Sequence, residues 1–337
     1  MALIRTLVVL AAVAALATPA AGQSVAAEVS QTVGVSSADN SAAATQARVF
    51  GEAWSGVRFT AETVWGARYG AGQSDAFGAA YPYDRELKVM EAFADRIFRP
   101  GPALVVVRAG RFRTPFGISS ASDHAYAGFL RAPLIRYDNY WAISNNFLEH
   151  GASVTAGVPQ LFVQATAGVP ADAGTALRRS GLDGVLRAQV TYRGLIVGAS
   201  GVSSKPYMSP RFAHGRMEFA GLDARWMQGG VALRGEWLAG RPFDGTKTTG
   251  GYVDLTVHRP ALGPVTAVVR AERLDYTVNN PRAMHAVRYA AGARIRLLDT
   301  LSLQANVIRQ RGIPNQGRSA FDLAATYVLR FDSSRFR

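Results

Sequence analysis

Arg288, Arg294 and Arg296 recur at even positions among Val287, Tyr289, Ala291, Ala293, Ile295 and Leu297. The same arrangement sets Arg58 between Val57 and Phe59, and Arg187 between Leu186 and Ala188. It also sets Arg234 between Leu233 and Gly235, and Arg270 between Val269 and Ala271. Guanidinium groups repeated along the wall of an aqueous passage lower the electrostatic barrier to negative solutes. These residues are therefore the candidates for contact with small anions. A second use competes with the first. Glu236, Asp254 and Glu272 alternate with the same apolar residues, so the arginines have carboxylates to pair with across neighbouring strands.

Other chemistry is sparse. His124, His150, His214, His258 and His285 are scattered, with neither His-Glu-x-x-His spacing nor a Gly-x-Ser-x-Gly elbow. The sequence has no Cys, no phosphate-cradling glycine loop and no cluster with metal-ligand spacing. The expectation is no catalytic residue, no metal and no cofactor. The formal charge is +13, with Lys88, Lys205 and Lys247 the only lysines. The arginines are spread along the chain, which argues against a nucleic-acid-binding tail. A general preference for arginine codons would give the same charge.

The elements that position these side chains are strands. Successive strand side chains face opposite sides, so period-two alternation marks a strand with one apolar and one polar face. Besides the segments above, Leu301, Leu303, Ala305 and Val307 oppose Ser302, Gln304 and Asn306. Val253, Leu255 and Val257 oppose Asp254, Thr256 and His258. Leu298-Asp299-Thr300 suits a hairpin turn. The phase shifts once, between Met217/Phe219 and Leu222/Ala224/Trp226, which predicts a bulge near Ala220-Gly221.

Three features turn alternation into a membrane barrel. The chain opens with Arg5, the apolar run Leu7–Ala17 and small residues Ala20-Ala21-Gly22. This reads as a signal peptide cleaved after Gly22, rather than an anchoring helix, because a spanning helix needs about 20 apolar residues. The alternating segments are about ten residues long, enough for a tilted strand to cross hydrocarbon. The last, from Phe321 through Leu323, Ala325, Tyr327 and Leu329 to Phe331, presents a continuous apolar face of the kind barrel-assembly machinery reads. Residues 23–337 are thus expected to form one all-β domain, a transmembrane antiparallel barrel of about 16 strands (range 14–18) with an aqueous channel. Trp54, Trp65, Trp226 and Trp237 are candidates for interfacial girdles, and Trp141 for ordinary packing.

Between Thr114 and Glu149 the alternation stops. A connection that long inside a compact fold is usually functional. It carries Asp123, Arg131, Arg136 and Asp138, which together with Arg111 are the candidates for a constriction. The flanking segments Glu91–Asp95 and Val107–Gly117, with Gly110-Arg111-Phe112 and Pro115-Phe116-Gly117, resemble the Gram-negative outer-membrane porins. The likeness is nearest to the phosphate-selective branch, and Arg270–Tyr276 resembles it too. The resemblance implies a 16-stranded barrel, usually a homotrimer, with an inward loop. Its setting is the bacterial outer membrane, with lipid, lipopolysaccharide and the assembly machinery as partners. The expected function is passive diffusion of small hydrophilic solutes through an anion-preferring channel, phosphate among them. Two other readings are an outer-membrane barrel enzyme of lipase or protease type and a soluble exported β-protein that binds a ligand.

Overall fold

A computed structural model describes residues 24–37, 40–69, 84–118, 131–136, 147–172, 182–204, 216–242, 245–278, 283–313 and 317–332. The segment 1–22, with Asp123, His124, Asp138, Trp141 and His214, lies outside these residues. Sixteen strands follow one another: β1 (Ser24–Ser36), β2 (Asn40–Trp54), β3 (Val57–Tyr69), β4 (Asp84–Phe98), β5 (Leu104–Arg113) and β6 (Phe147–Val158). Next come β7 (Leu161–Asp172), β8 (Asp183–Tyr192), β9 (Leu195–Ser204), β10 (Met217–Gln228) and β11 (Val231–Arg241). The last are β12 (Gly245–Val257), β13 (Val265–Val278), β14 (Ala283–Arg296), β15 (Leu301–Arg311) and β16 (Ser319–Asp332). Each pairs antiparallel with its sequence neighbours, and β16 pairs with β1, Ala325 opposite Val33, to close the barrel. Closure leaves no unpaired sheet edge, which an apolar bilayer requires of any strand structure.

The expected alternation holds almost throughout. Leu186 and Val190, Leu233 and Trp237, Val253 and Leu255, and Leu303 and Val307 are all exposed on the outer wall. Arg187, Asp254, Arg270, Glu272, Arg288 and Asn306, at the opposite parity, are buried inside. The strand Phe321–Phe331 keeps its apolar residues outward, with Asp322 fully buried on the lumen side. Trp54 and Trp226 lie towards one end of the barrel, Trp65 and Trp237 towards the other.

The predicted bulge does not occur. β10 runs in unbroken register against both β9 and β11. Met217 and Phe219 are lumen-facing residues, 0% and 3% exposed, so the phase never changes. They are apolar because they pack against a loop inside the barrel, not because they face lipid. Irregularities fall elsewhere, between Glu52 and Trp54, Glu62 and Thr63, Trp65 and Ala67, and Gly245 and Lys247.

The two ends of the barrel differ. At one end β2–β3, β6–β7, β8–β9 and β10–β11 are joined by two-residue turns. At the other, β3–β4, β5–β6, β7–β8 and β9–β10 are joined by long connections. The outer wall is also divided around its circumference. On β2–β7 it is rich in small side chains, including Ala47, Ala61, Ala94, Ala109, Ala152 and Ala167. From β8 to β16 it carries large apolar ones, including Leu186, Leu222, Trp237, Val269, Tyr289 and Phe321. Where β14–β16 meet β1 and β2, a shallow apolar depression of about 720 Å³ is lined by Ile295, Leu303, Leu323, Val33 and Val35 around Ala293, Ala305 and Ala325.

Candidate functional site

The connection between β5 and β6 enters the barrel. It spans 114–146, because β6 already begins at Phe147. Both described parts of it lie against the inner wall. Residues 114–118 leave β5 and run along the lumen to β9, four strands away, where the Gly117 amide donates to Ser200 Oγ at 3.1 Å. Residues 131–136, ending in a 3-10 turn at Leu134–Arg136, lie against β11–β14 and touch β16 and β1.

The wall and the loop are joined by ion pairs and by an apolar cluster. Arg270 on β13 grips Asp254 on β12 with two hydrogen bonds, at 2.5 and 2.9 Å, and donates a third to the Arg131 carbonyl at 2.8 Å. One strand along, Arg288 on β14 pairs with Glu272 on β13 at 2.7 Å and donates to the Ala132 carbonyl. Glu272 also accepts the Leu134 amide at 2.6 Å. The loop's own cations reach outward in return. Arg131 binds Asp322 on β16 at 2.7 and 2.9 Å, and Arg136 binds Glu236 on β11. Around these contacts Phe116, Ile118, Leu134 and Ile135 pack on Val202, Met217, Phe219, Leu238, Tyr252 and Leu274. Burying this apolar surface is the dominant favourable term. The charged contacts satisfy groups that would otherwise be buried without partners.

Glycines on both sides admit this packing. A Cβ on Gly221 would stand 2.7 Å from the Phe116 ring, and one on Gly250 would stand 3.1 Å from Ile135 Cγ2. Gly117 has φ +63°, and a Cβ there would stand 1.8 Å from Glu236 Oε1 and 2.7 Å from Arg136 Nη2. The Gly117→Ala substitution therefore adds backbone strain of about 1–2 kcal/mol and pushes the Glu236–Arg136 pair apart. Its expected result is a channel with visibly noisier open-state current in bilayer recordings, and a trace like that of the parent would refute the role given to Gly117.

The arginines expected to line the wall do face the lumen, but most carry a carboxylate. Arg187 is bidentate on Asp223, at 2.6 and 2.9 Å, and also donates to Ser200. Arg234 shares Asp254 with Arg270, at 2.8 Å. Arg58 meets Asp95 at 3.3 Å while remaining 47% exposed. Arg108 joins the same carboxylate at 3.2 Å, its guanidinium carbon 4.0 Å from the centre of the Phe93 ring. Arg294 and Arg296 lie beside His258, Thr266, Ser302 and Arg330 in a 350 Å³ recess at the turn end. Arg48 on β2 is exposed towards the lumen, over the Phe50 ring. Pairing with carboxylates, the competing use of these residues, is thus the structure's main use of them on β8–β14.

One expected constriction residue is elsewhere. Arg111 points out of the barrel, on the face of Ala109, and lies 3.2 Å from Nε2 of its cross-strand partner His150. Its strand neighbour Arg113 instead reaches the lumen carboxylates Glu62 and Glu91. Arg131 and Arg136 are brought together with the wall as expected of an inward loop. Several participants had not been singled out as candidates: Asp223, Ser200, Asp322 and the apolar Met217 and Phe219. The two aspartates were within reach of parity alone, since Asp223 lies between Leu222 and Ala224, and Asp322 between Phe321 and Leu323.

No family model matches the chain, and no curated protein matches it. Solved structures do. The chain is similar in fold to OmpF of Salmonella typhi, solved with daunomycin, at 11% identity and a TM-score of 0.63, over 91% of this chain and 97% of that one. It is similar to the outer membrane protein OmpT of Vibrio cholerae in its trimer form, at 10% identity and a TM-score of 0.57, over 91% and 99%. A variant of the Rh. blastica porin aligns at 11% identity and a TM-score of 0.52, over 91% and 100%. None of these likenesses supports the phosphate-selective branch in particular. What they share with this chain is the fold, and that fold is the closed barrel of the outer-membrane porins.

Proposed function

We propose that the protein is an outer-membrane porin, a passive channel for small hydrophilic solutes. The observation that carries this reading is the pair of loop segments 114–118 and 131–136, seated inside a closed 16-strand barrel, the second of them pinned to the wall by Arg270 and Arg288. A barrel of this size holds an aqueous lumen, and a loop fixed inside it sets the narrowest cross-section. Export through a cleaved signal peptide at 1–22 belongs to the same reading. Short turns at one end and long loops at the other put the turn end in the periplasm and the loop end outside the cell.

The selectivity we propose is a mild preference for small anions, with phosphate one passenger among several. It rests on the cations exposed to the lumen, Arg48, Arg296 and Arg58, the last sharing the single carboxylate of Asp95 with Arg108, and not on the buried paired arginines, whose charges are locally balanced. A homotrimer is supported by the outer wall of β2–β7. Its alanines permit close approach of a second protein surface, and the polar pairs Arg111–His150 and Gln31–Thr45 face outward, where lipid would be a poor solvent for them. The described histidines of possible catalytic interest are dispersed: His150 and His285 on the outer wall, His258 at the turn end. No observation favours the enzyme reading over the channel.

The test is conductance of the purified, heat-modifiable barrel in planar bilayers under a salt gradient. Discrete channels with a reversal potential displaced towards the anion equilibrium value are expected. A folded barrel that passes no current would overturn the channel, and a cation-sided potential would overturn the preference alone.

A further inference from the structure

The outer wall carries a cluster of cations that neither the channel nor the trimer uses. Arg273 on β13 and Arg309 and Arg311 on β15 all point out of the barrel near its loop end. Register brings them together: Arg273 and Arg311 flank Val287 of β14 from either side, and Arg309 lies beside Tyr289. Two strand spacings separate the first pair, roughly 10 Å. His285 adds a fourth nitrogen-bearing group at the top of the patch. Among the described residues, Asp275 is the one carboxylate in the patch, and it holds Arg273 at 2.7 Å and His285 at 2.8 Å. Even so, the Arg273 side chain stays 70% exposed. Among the described residues, Arg309 and Arg311 meet no carboxylate.

Like charges held this close call for anions between them. Guanidinium forks bind phosphate oxygens in pairs, so phosphate is the anion they fit best. What lies beneath the cluster narrows the source. Below it the wall turns wholly apolar, through Tyr289, Val307 and Phe321. Four residues down β15 from Arg309, about 13 Å at strand rise, Ala305 forms part of the floor of the 720 Å³ apolar depression. Cations above and a shallow greasy channel below match a molecule with phosphates on its headgroup and acyl chains beneath.

We propose that this face of β13–β15 binds a phosphorylated lipid of the leaflet on the loop side, its phosphates on Arg273, Arg309 and Arg311 and its chains in the depression. The assignment of that leaflet rests on the channel reading above, which puts the loop end outside the cell. A cluster of basic side chains at the membrane surface is a general device for holding anionic lipid.

The experiment is native mass spectrometry of the detergent-solubilised barrel titrated with bisphosphoryl lipid A, and with its monophosphoryl form. The parent is expected to retain the bisphosphoryl lipid in preference to the monophosphoryl one. In the triple variant Arg273→Gln, Arg309→Gln, Arg311→Gln, binding should fall by about tenfold or more. Neutralising two arginines at the turn end, Arg96→Gln on the outer wall of β4 and Arg259→Gln in the β12–β13 connection, should leave it unchanged. Single variants Arg309→Gln and Arg311→Gln report the same loss in smaller steps and serve if the triple variant does not fold. Equal binding by parent and variants would overturn the proposal. So would equal loss in the turn-end control, or displacement of the lipid by inorganic phosphate. Channel recordings on the same samples keep the two readings apart: a conducting barrel that does not discriminate between the lipids removes this site and leaves the porin standing.

Discussion

A protein carrying Arg270→Met and Arg288→Met together is expected to conduct more current per channel than its parent, with frequent transitions between levels. Each arginine ties a lumen carboxylate to a main-chain carbonyl of the loop, Arg270 to Arg131 and Arg288 to Ala132. Methionine keeps most of the packing volume and removes both ties. Leaving one member of a buried ion pair behind costs about 3–5 kcal/mol. The lower end applies here, because Asp254 keeps Arg234 and Glu272 keeps the Leu134 amide. The two losses act on one segment and will not add simply. With the two ties from the wall to its main chain gone, the segment 131–136 is held by the apolar cluster and by the ion pairs of Arg131 and Arg136, and it should leave the wall intermittently. The measurement is single-channel recording with neutral polymers of graded size. A larger exclusion limit is expected, and a limit and noise level equal to the parent's would show that Arg270 and Arg288 are not needed to seat the loop.

A charge on the outer wall should act on the barrel itself. Val253 stands near the middle of β12, 53% exposed, with its side chain directed outward. Arginine at the midplane of a lipid-facing strand costs about 2–4 kcal/mol. Val253→Arg is therefore expected to lower the unfolding midpoint in lipid vesicles markedly and to reduce the folded yield. Gln46→Arg, on the lumen side of β2, places the same charge in water and should change stability little. If the two variants unfold alike, the inside-outside assignment of these strands is wrong.

Fold class and wall faces could be read from alternation because a strand side chain has only two directions. The close agreement of Val253, Leu255 and Val257, or of Phe321 to Phe331, with the outer wall follows from that. The same logic failed where an apolar residue faces inward. Met217 and Phe219 looked like a change of phase because nothing in their local sequence shows that a loop some hundred residues away will cover them. Arg111 failed in the opposite sense, since a cation on the outer parity was read with the loop it adjoins. The ion pairs were hidden for a different reason. Asp254 stands opposite Arg234 on one side and Arg270 on the other, and Glu272 opposite Arg288. Those pairings depend on the registers of successive hairpins, which turn geometry and packing settle and alternation does not. The motif residues of the loop's entrance were legible in type, and their roles are steric. Phe112 and Phe116 are buried, Gly110 takes positive φ within β5, where a Cβ would stand 2.4 Å from the Ala92 carbonyl oxygen, and Gly117 takes positive φ inside the barrel.

The way the loop is held has an evolutionary side. Arg270 and Arg288 grip carbonyl oxygens of residues 131 and 132, and Glu272 accepts the amide of residue 134. Backbone groups are the same whatever side chain the codon specifies. This part of the anchorage is blind to the side chains at 131, 132 and 134, and it adds to the ties that the loop's own Phe116, Ile118, Leu134, Ile135, Arg131 and Arg136 make. Side chains that face the passage can be exchanged, and new permeation properties sampled, without the anchorage having to be rebuilt each time.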